Sequence, residues 1–236
     1  MSTDTREFLP VEPDTQPAYL HLPYASTRLR APSRPLLRLP ETAADLCGPL
    51  FGHAAVAAAD SDLTTRHAAD PIGERLIVSG CVQDDRGRPI AGALIELWQA
   101  NAAGRYRHAR DGHAAPLDPN FDGCGRAITN AAGEYRFVTL RPGAYPWGNH
   151  ANAWRPAHLH FSLFGAGLLS RLVTQMYFPG DQLLSLDPIF MSTPDAAARE
   201  RLLSRFDPDS TVEGFALGYR FDIVLRGLRA TPFETA

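Results

Sequence analysis

Tyr145-Pro146-Trp147-Gly148-Asn149-His150-Ala151-Asn152-Ala153-Trp154-Arg155-Pro156-Ala157-His158-Leu159-His160-Phe161 is the stretch on which the reading turns. In an extended chain, residues two apart share a face. His158 and His160 therefore project side by side, while Leu159, Phe161 and Leu163 fill the opposite face. That alternation predicts a half-buried strand over residues 158–164. Two imidazoles on one stiff element offer a metal two ligands with little ordering left to do. The pair alone is equally compatible with two solvated or hydrogen-bonded histidines. Its neighbours Tyr145, Trp147 and Arg155 bring aromatic and cationic groups that a plain surface strand does not need.

Outward from this strand, the pattern repeats. Residues 75–82 and 93–99 read as strands joined by the turn Asp84-Asp85-Arg86-Gly87-Arg88-Pro89. Thr129-Asn130-Ala131-Ala132-Gly133 is a second turn, leading into a strand over 134–140. Further strands are expected over 172–178 and 215–225. A helix is expected over 194–206, with Thr193 as N-cap, Pro194 at its first position and Asp207-Pro208 as its stop. Together these predict an all-β chain: a β-sandwich of mixed topology with long active-site loops, an N-terminal Pro-rich arm and one short helix.

The arm is residues 1–72, and the catalytic sandwich is residues 73–236. Nine of the twenty prolines fall between Pro10 and Pro71, so the arm cannot form long strands. Tyr19, Leu20, Tyr24, Leu36, Leu37, Leu39, Leu50 and Phe51 make it too apolar for a disordered tail. It is expected to pack on the domain or on another chain, with a short helix over 41–46, and so to favour an oligomer. A net charge of -3 points away from nucleic acid and anionic membrane. The first residues are charged and lack an apolar signal-peptide core, and the alanine-rich run 54–59 is too short to span a bilayer. Cys47, Cys81 and Cys124 are odd in number and form no Cys-x-x-Cys, which fits reduced thiols in the cytoplasm.

A long loop over residues 101–126 carries Gly104-Arg105-Tyr106-Arg107-His108, and a loop of that length in a compact domain is usually functional. His108, His113 and His150 read as ordinary surface histidines. If His158, His160, Tyr106 and Tyr145 share one metal, its identity is constrained. A free phenol titrates near ~10, so a hard, highly charged cation is needed to ionise it. Ferric iron suits phenolate and imidazole together. Fe(III) with two phenolates and a hydroxide is neutral. A catechol dianion that displaces one phenolate and the hydroxide leaves it neutral again, and the displaced groups are the bases that take the catechol protons. A ferrous site of two histidines and a carboxylate fares worse: no acid follows His160 before Asp181, and no glutamate before Glu200.

Gly104-Arg105-Tyr106-Arg107-His108, Pro142-Gly143-Ala144-Tyr145-Pro146-Trp147, Trp154-Arg155-Pro156-Ala157-His158-Leu159-His160-Phe161 and Arg220-Phe221-Asp222-Ile223-Val224-Leu225-Arg226-Gly227 resemble the intradiol ring-cleavage dioxygenases. The likeness runs over nearly the whole chain. Catechol 1,2-dioxygenases share the stretch around the histidines but carry a helical N-terminal dimerisation region. The Pro-rich arm points instead to members acting on protocatechuate. The resemblance implies a non-haem Fe(III) held by Tyr106, Tyr145, His158 and His160. It implies that Arg155 stabilises negative charge on the substrate ring, against the plainer reading of a structural ion pair. It places Trp147, Gln175, Ile189 and Tyr24 at the substrate. It also implies O2 and a catecholic substrate, a homologous α chain in a hetero-oligomer, and cleavage to 3-carboxy-cis,cis-muconate. Arg105, Arg107 or a residue of another chain would meet the substrate carboxylate. Catechol or hydroxyquinol as substrate is an alternative within the enzyme class. A non-catalytic transthyretin-like binding module, suggested by residues 80–97, is the alternative outside it.

Overall fold

The computed structural model describes residues 14–35, 55–148, 154–165 and 171–234. In chain order these form α1 (Thr27–Arg30), a 3-10 turn (Ala58–Ser61), β1 (Arg75–Gln83), β2 (Leu94–Trp98), β3 (Cys124–Ile128) and β4 (Glu134–Leu140). There follow β5 (Tyr145–Pro146), β6 (Trp154–Arg155), β7 (His158–Phe164), β8 (Leu172–Tyr177), α2 (Ala196–Glu200), β9 (Arg205–Phe206), β10 (Leu217–Arg220) and β11 (Ile223–Val224).

Two sheets face each other, as the strand pattern predicts. One runs β11-β1-β10-β9, with β4 also on β1; the other runs β3-β2-β7-β8. β1 pairs parallel with β10 and antiparallel with β4, so the topology is mixed. Between them, Leu76, Val78, Tyr135, Phe137, Tyr219 and Phe221 of the first sheet meet Ile95, Leu97, Leu159, Phe161, Leu163 and Met176 of the second. Phe161 lies within ring contact of Tyr135, Phe137 and Phe221, at 5.9, 6.3 and 5.4 Å. Leu63, from the segment before β1, joins this core and ties to β4 through its backbone.

Gly80 marks a close crossing inside this packing. A methyl group there would lie 1.8 Å from the Phe221 carbonyl oxygen. That carbonyl also accepts the buried Tyr135 hydroxyl. Gly80→Ala is expected to destabilise the sandwich by about 1–3 kcal/mol, the range for overpacking a full core. Chemical denaturation checks this, and an unchanged midpoint would show that the two strands part easily.

Several expected elements differ. The helix shrinks to Ala196–Glu200, and its N-cap is Asp195, whose carboxylate accepts from Ala198 N at 2.6 Å. Thr193 lies outside the helix, two residues before that cap, and its carbonyl accepts from the Arg199 guanidinium. Beyond the helix, Ser204 N bonds to Tyr177 O and Arg205–Phe206 pairs with β10, so sheet pairing claims residues that local propensity favoured as helix. Strand 215–225 breaks at Phe221-Asp222: the Phe221 ring enters the core while Asp222 accepts from Cys81 N at 2.9 Å. The loop from residue 101 ends earlier than expected, because Cys124–Ile128 pairs with β2. The expected helix over 41–46 and Cys47 lie outside the described residues. Cys81 and Cys124 are free. Among the described residues, no helix is long and apolar enough to cross a membrane.

Candidate metal centre

The registers place the site. Leu159, Phe161 and Leu163 enter the core, so His158 and His160 occupy the outer face of the second sheet. Trp98 and Gln175 lie opposite His160, and Tyr177 opposite His158. One face thus carries Trp98, His158, His160, Gln175 and Tyr177 together. This face is not solvated. His158 is 1% exposed and His160 8%, so β7 is buried on both faces rather than on one. The covering comes from loops whose contacts no local pattern announces.

Two tyrosines come down from those loops. The Tyr106 backbone N–H is pinned to Asp111, and its hydroxyl lies 3.1 Å from His160 Nε2. Tyr145 belongs to the short ladder of β5 with β6, and its hydroxyl lies 3.3 Å from His158 Nε2. The two phenol rings meet edge to face at 5.3 Å. The Nε2 atoms of the two histidines are 3.2 Å apart.

Hydrogen bonding fixes which atoms carry lone pairs. His158 Nδ1 donates to Pro156 O at 2.7 Å, and His160 Nδ1 faces the Glu234 carboxylate at 3.2 Å. Each Nε2 then faces a phenol oxygen, and that of His158 also faces Arg155 Nη1. Burial, together with Arg155 and His160, holds the His158 pKa well below its ordinary value, so that ring stays neutral. Burial raises both phenols as well, and for Tyr106 the neighbouring Tyr145 adds to the rise. Two imidazole nitrogens and two phenol oxygens are therefore gathered in one buried place. Donor separations of 3.1–3.3 Å are edges that bonds of ~2.1 Å span around a metal. Among the described residues no group of three or more His, Cys, Asp or Glu could hold a metal, so the donor set is not of the two-histidine-one-carboxylate kind. The residues present fit a hard cation that accepts phenolate.

Arg155 lies at the edge of this point and is 2% exposed. Its Nη1 is 3.1 Å from His158 Nε2 and 3.4 Å from the Tyr145 hydroxyl. Its other side grips Asp187 as a fork, with Nη2 at 2.8 Å and Nε at 3.2 Å, and Nη2 also reaches Gln175 and Tyr177. Burial works against the charge, but Tyr177, Asp187 and Tyr145 outweigh it and keep the guanidinium protonated. Trp147 presents its ring 5.5 Å from that guanidinium and 5.1 Å from the Tyr24 ring. Gln175 sits in the Arg155 network. Ile189 is buried nearby in sequence to Asp187 and bonded to it through its backbone N–H. A cavity of about 700 Å3 opens beside Tyr106 and Tyr145, walled by Arg110, His113, Trp147 and Trp154.

Arg105 bonds to Ala115 O, and Arg107 to Asp118 O and Asp122, all within their own loop. His108 is exposed as expected. His113 is not a plain surface histidine: it bonds to Gly104 O and sets its ring edge against Trp154. His150 lies outside the described residues. Asp187, Tyr177, Trp98 and Glu234 were missed in the sequence. For Asp187 the only available signal was that a buried Arg155 needs an anion.

The family model described as Dioxygenase matches residues 46–227, and that described as Protocatechuate 3,4-dioxygenase beta subunit N terminal matches residues 10–42. The chain is 58% identical to a protocatechuate 3,4-dioxygenase beta chain of Burkholderia cepacia, over 93% of this chain and 94% of that one. It is 32% identical to a protocatechuate 3,4-dioxygenase alpha chain of Pseudomonas putida, over 84% of this chain and 98% of that one. Among solved structures, the 3-chlorocatechol 1,2-dioxygenase of Rhodococcus opacus 1CP superposes with a TM-score of 0.55 at 26% identity, covering 72% of this chain and 65% of that one. These matches favour the enzyme over the binding module, and the chain belongs to the intradiol ring-cleavage dioxygenase family.

Proposed function

We propose that Tyr106, Tyr145, His158 and His160 hold a non-haem ferric ion, and that the chain, with a homologous α chain, cleaves protocatechuate with O2 to 3-carboxy-cis,cis-muconate. The observation that carries this reading is the pairing of each phenol oxygen with one Nε2 atom, at 3.1 and 3.3 Å, around two Nε2 atoms 3.2 Å apart. The substrate and the α chain rest on the similarity to β and α chains of that enzyme. In the overall change the bond between the two hydroxyl-bearing carbons breaks, each of those carbons gains one oxygen atom, and O2 takes up the four electrons the ring gives. Bound at these donors, Fe(III) would supply the Lewis acidity that favours the catechol dianion.

The chain's own residues then have separate tasks. Tyr145 and Tyr106 would be the two phenol ligands, and Tyr145 would also be the base whose oxygen accepts a catechol proton. Its place on the two-residue β5, off β7, suits the more mobile role, with Tyr106 as the permanent ligand. Arg155 sets a fixed positive charge 3.4 Å from the Tyr145 oxygen, where it favours the anion and opposes negative charge gathering unpaired. Trp147 and Tyr24 offer aromatic walls to the ring, and Gln175 and Ile189 complete that side. Residues 1–72 act as the arm and residues 73–236 as the catalytic unit. Tyr19, Leu20, Leu22 and Leu29 are exposed on the arm, where an α chain would cover them. A cytoplasmic location goes with this reading.

The test is the chain co-produced with its α chain. A wine-red protein that takes up O2 with protocatechuate faster than with catechol supports the reading; a colourless protein that cannot be reconstituted with iron overturns it. The tyrosine roles are separable. Tyr145→Phe is expected to keep iron and some colour but to slow anaerobic substrate chelation by ~10²-fold, the scale for losing a positioned base. Tyr106→Phe is expected to damage iron retention more. Rapid-mixing absorbance distinguishes the two, and the reverse pattern would exchange the assignments.

A further inference from the structure

We propose that Glu234 is a positioning residue of the metal centre, fixing the His160 ring and strengthening it as a donor; this rests on the ferric reading above. The two imidazoles are not held alike. His158 turns its Nδ1 to a neutral backbone carbonyl, Pro156 O. His160 turns its Nδ1 to a carboxylate, Glu234, at 3.2 Å across 74 residues of sequence. Trp98 stacks on the His160 ring at 4.7 Å with planes 5° apart. The indole fixes the plane of the ring, and the carboxylate fixes its rotation within that plane.

Glu234 is itself brought there by a built path. Thr231 exchanges hydrogen bonds with the Val224 backbone through both its N–H and its side chain. Pro232 O accepts from Thr174 Oγ1 on β8, and Phe233 N donates to Gln16 Oε1 of the arm. Glu234 N then donates to Val173 O at 2.7 Å, next along β8, which leaves the side chain directed at His160. Two strands and the arm thus aim one carboxylate at one ring nitrogen, 15% exposed at its side chain.

The physical consequence follows from the charge. An imidazole whose N–H is held by a carboxylate is more basic at its other nitrogen, and losing such an outer partner costs ~10–100-fold in metal affinity. Glutamine keeps an acceptor for Nδ1–H but removes the charge. The metal then meets a poorer donor, its acceptor orbitals fall, and the phenolate-to-iron absorption moves to longer wavelength. Alanine removes both acceptor and charge.

The experiment uses the full chain co-produced with the α chain, loaded with ferric iron, in wild-type, Glu234→Gln and Glu234→Ala forms. Iron loss to a chelator, the visible band and the thermal midpoint are measured on each. The expected result is iron loss ~10–100-fold faster in Glu234→Ala. Glu234→Gln is expected to keep most of its iron and a wild-type midpoint while its band shifts to longer wavelength. A role in tail packing alone would not move that band at constant midpoint. If Glu234→Ala does not fold, Glu234→Gln decides alone. A red wild type whose variants match it in band and iron retention overturns this inference and leaves the ferric reading standing. A wild type that binds no iron overturns both.

Discussion

Replacing His158 or His160 by alanine is expected to yield a folded, colourless protein without iron and without ring-cleaving activity. Each substitution removes one of two nitrogen donors that a single strand places 3.2 Å apart, and among the described residues the neighbouring side chains are already engaged. Tyr177 and Gln175 are bound into the Arg155 network, and Glu234 stands on the far nitrogen of His160. The fold survives because Leu159, Phe161 and Leu163, on the opposite face, carry the core contacts of the strand. A loss of roughly 0.5–3 kcal/mol from the vacated ring volume is the ordinary scale for such a change. Elemental analysis, visible absorption and circular dichroism on the same samples check all three parts. Full iron occupancy in both variants would overturn the donor set.

That histidine strand was legible for a reason. Its two faces have opposite chemistry, and a period of two residues allows only one assignment of side chains to faces. The start of β4 was legible on the same ground, and β1, buried on both faces, was legible as a largely apolar run closed by the turn at Gly87. β3 was not. Cys124 and Ile128 at its ends are exposed, Gly125 has no side chain, and only Ala127 reaches the core, so nothing in the residues alternates strongly. Gly125 is small because Leu63 and the Asp60 carbonyl approach within 3 Å of where a methyl group would lie. The helix expected over 194–206 falls short for the converse reason. Its local signals are sound for one turn, but pairing with β10 competes for the residues beyond it.

The site divides along the same line. His158, His160 and Arg155 share one stretch, so their spacing could be read directly. Tyr106 and Tyr145 stood out as tyrosines in loops rich in Arg, Pro and Gly. Their approach to the histidines depends on loop closure, such as the Asp111 bond to Tyr106 N. Asp187 and Glu234 meet their partners 32 and 74 residues away. Contacts of that range leave no period and no motif. Only the requirement that a buried charge be paired predicts that such partners exist, and it does not say where.

Arg155 poses the sharper experiment, because the structure gives it two occupations at once. Arg155→Leu is expected to keep iron and colour while lowering turnover by ~10²–10³, the usual result of removing a fixed group aimed at developing charge. The same change strips the counterion from Asp187, which is fully buried. Breaking a buried pair from one side costs about 3–5 kcal/mol, because a charge is left without compensation. Slow turnover in the single variant could then arise from a loosened fold rather than from lost electrostatics. Adding Asp187→Asn removes the orphaned charge and leaves a group of nearly the same shape. The double variant is expected to regain most of the lost stability, read by denaturation, and none of the lost kcat. The asymmetry follows from geometry: Nε and Nη2 serve the ion pair, whereas Nη1 faces Tyr145 and His158, and only that side touches the reacting region. If stability and kcat recover together in the double variant, Arg155 is a structural ion pair, and the charge that steadies the substrate must come from elsewhere.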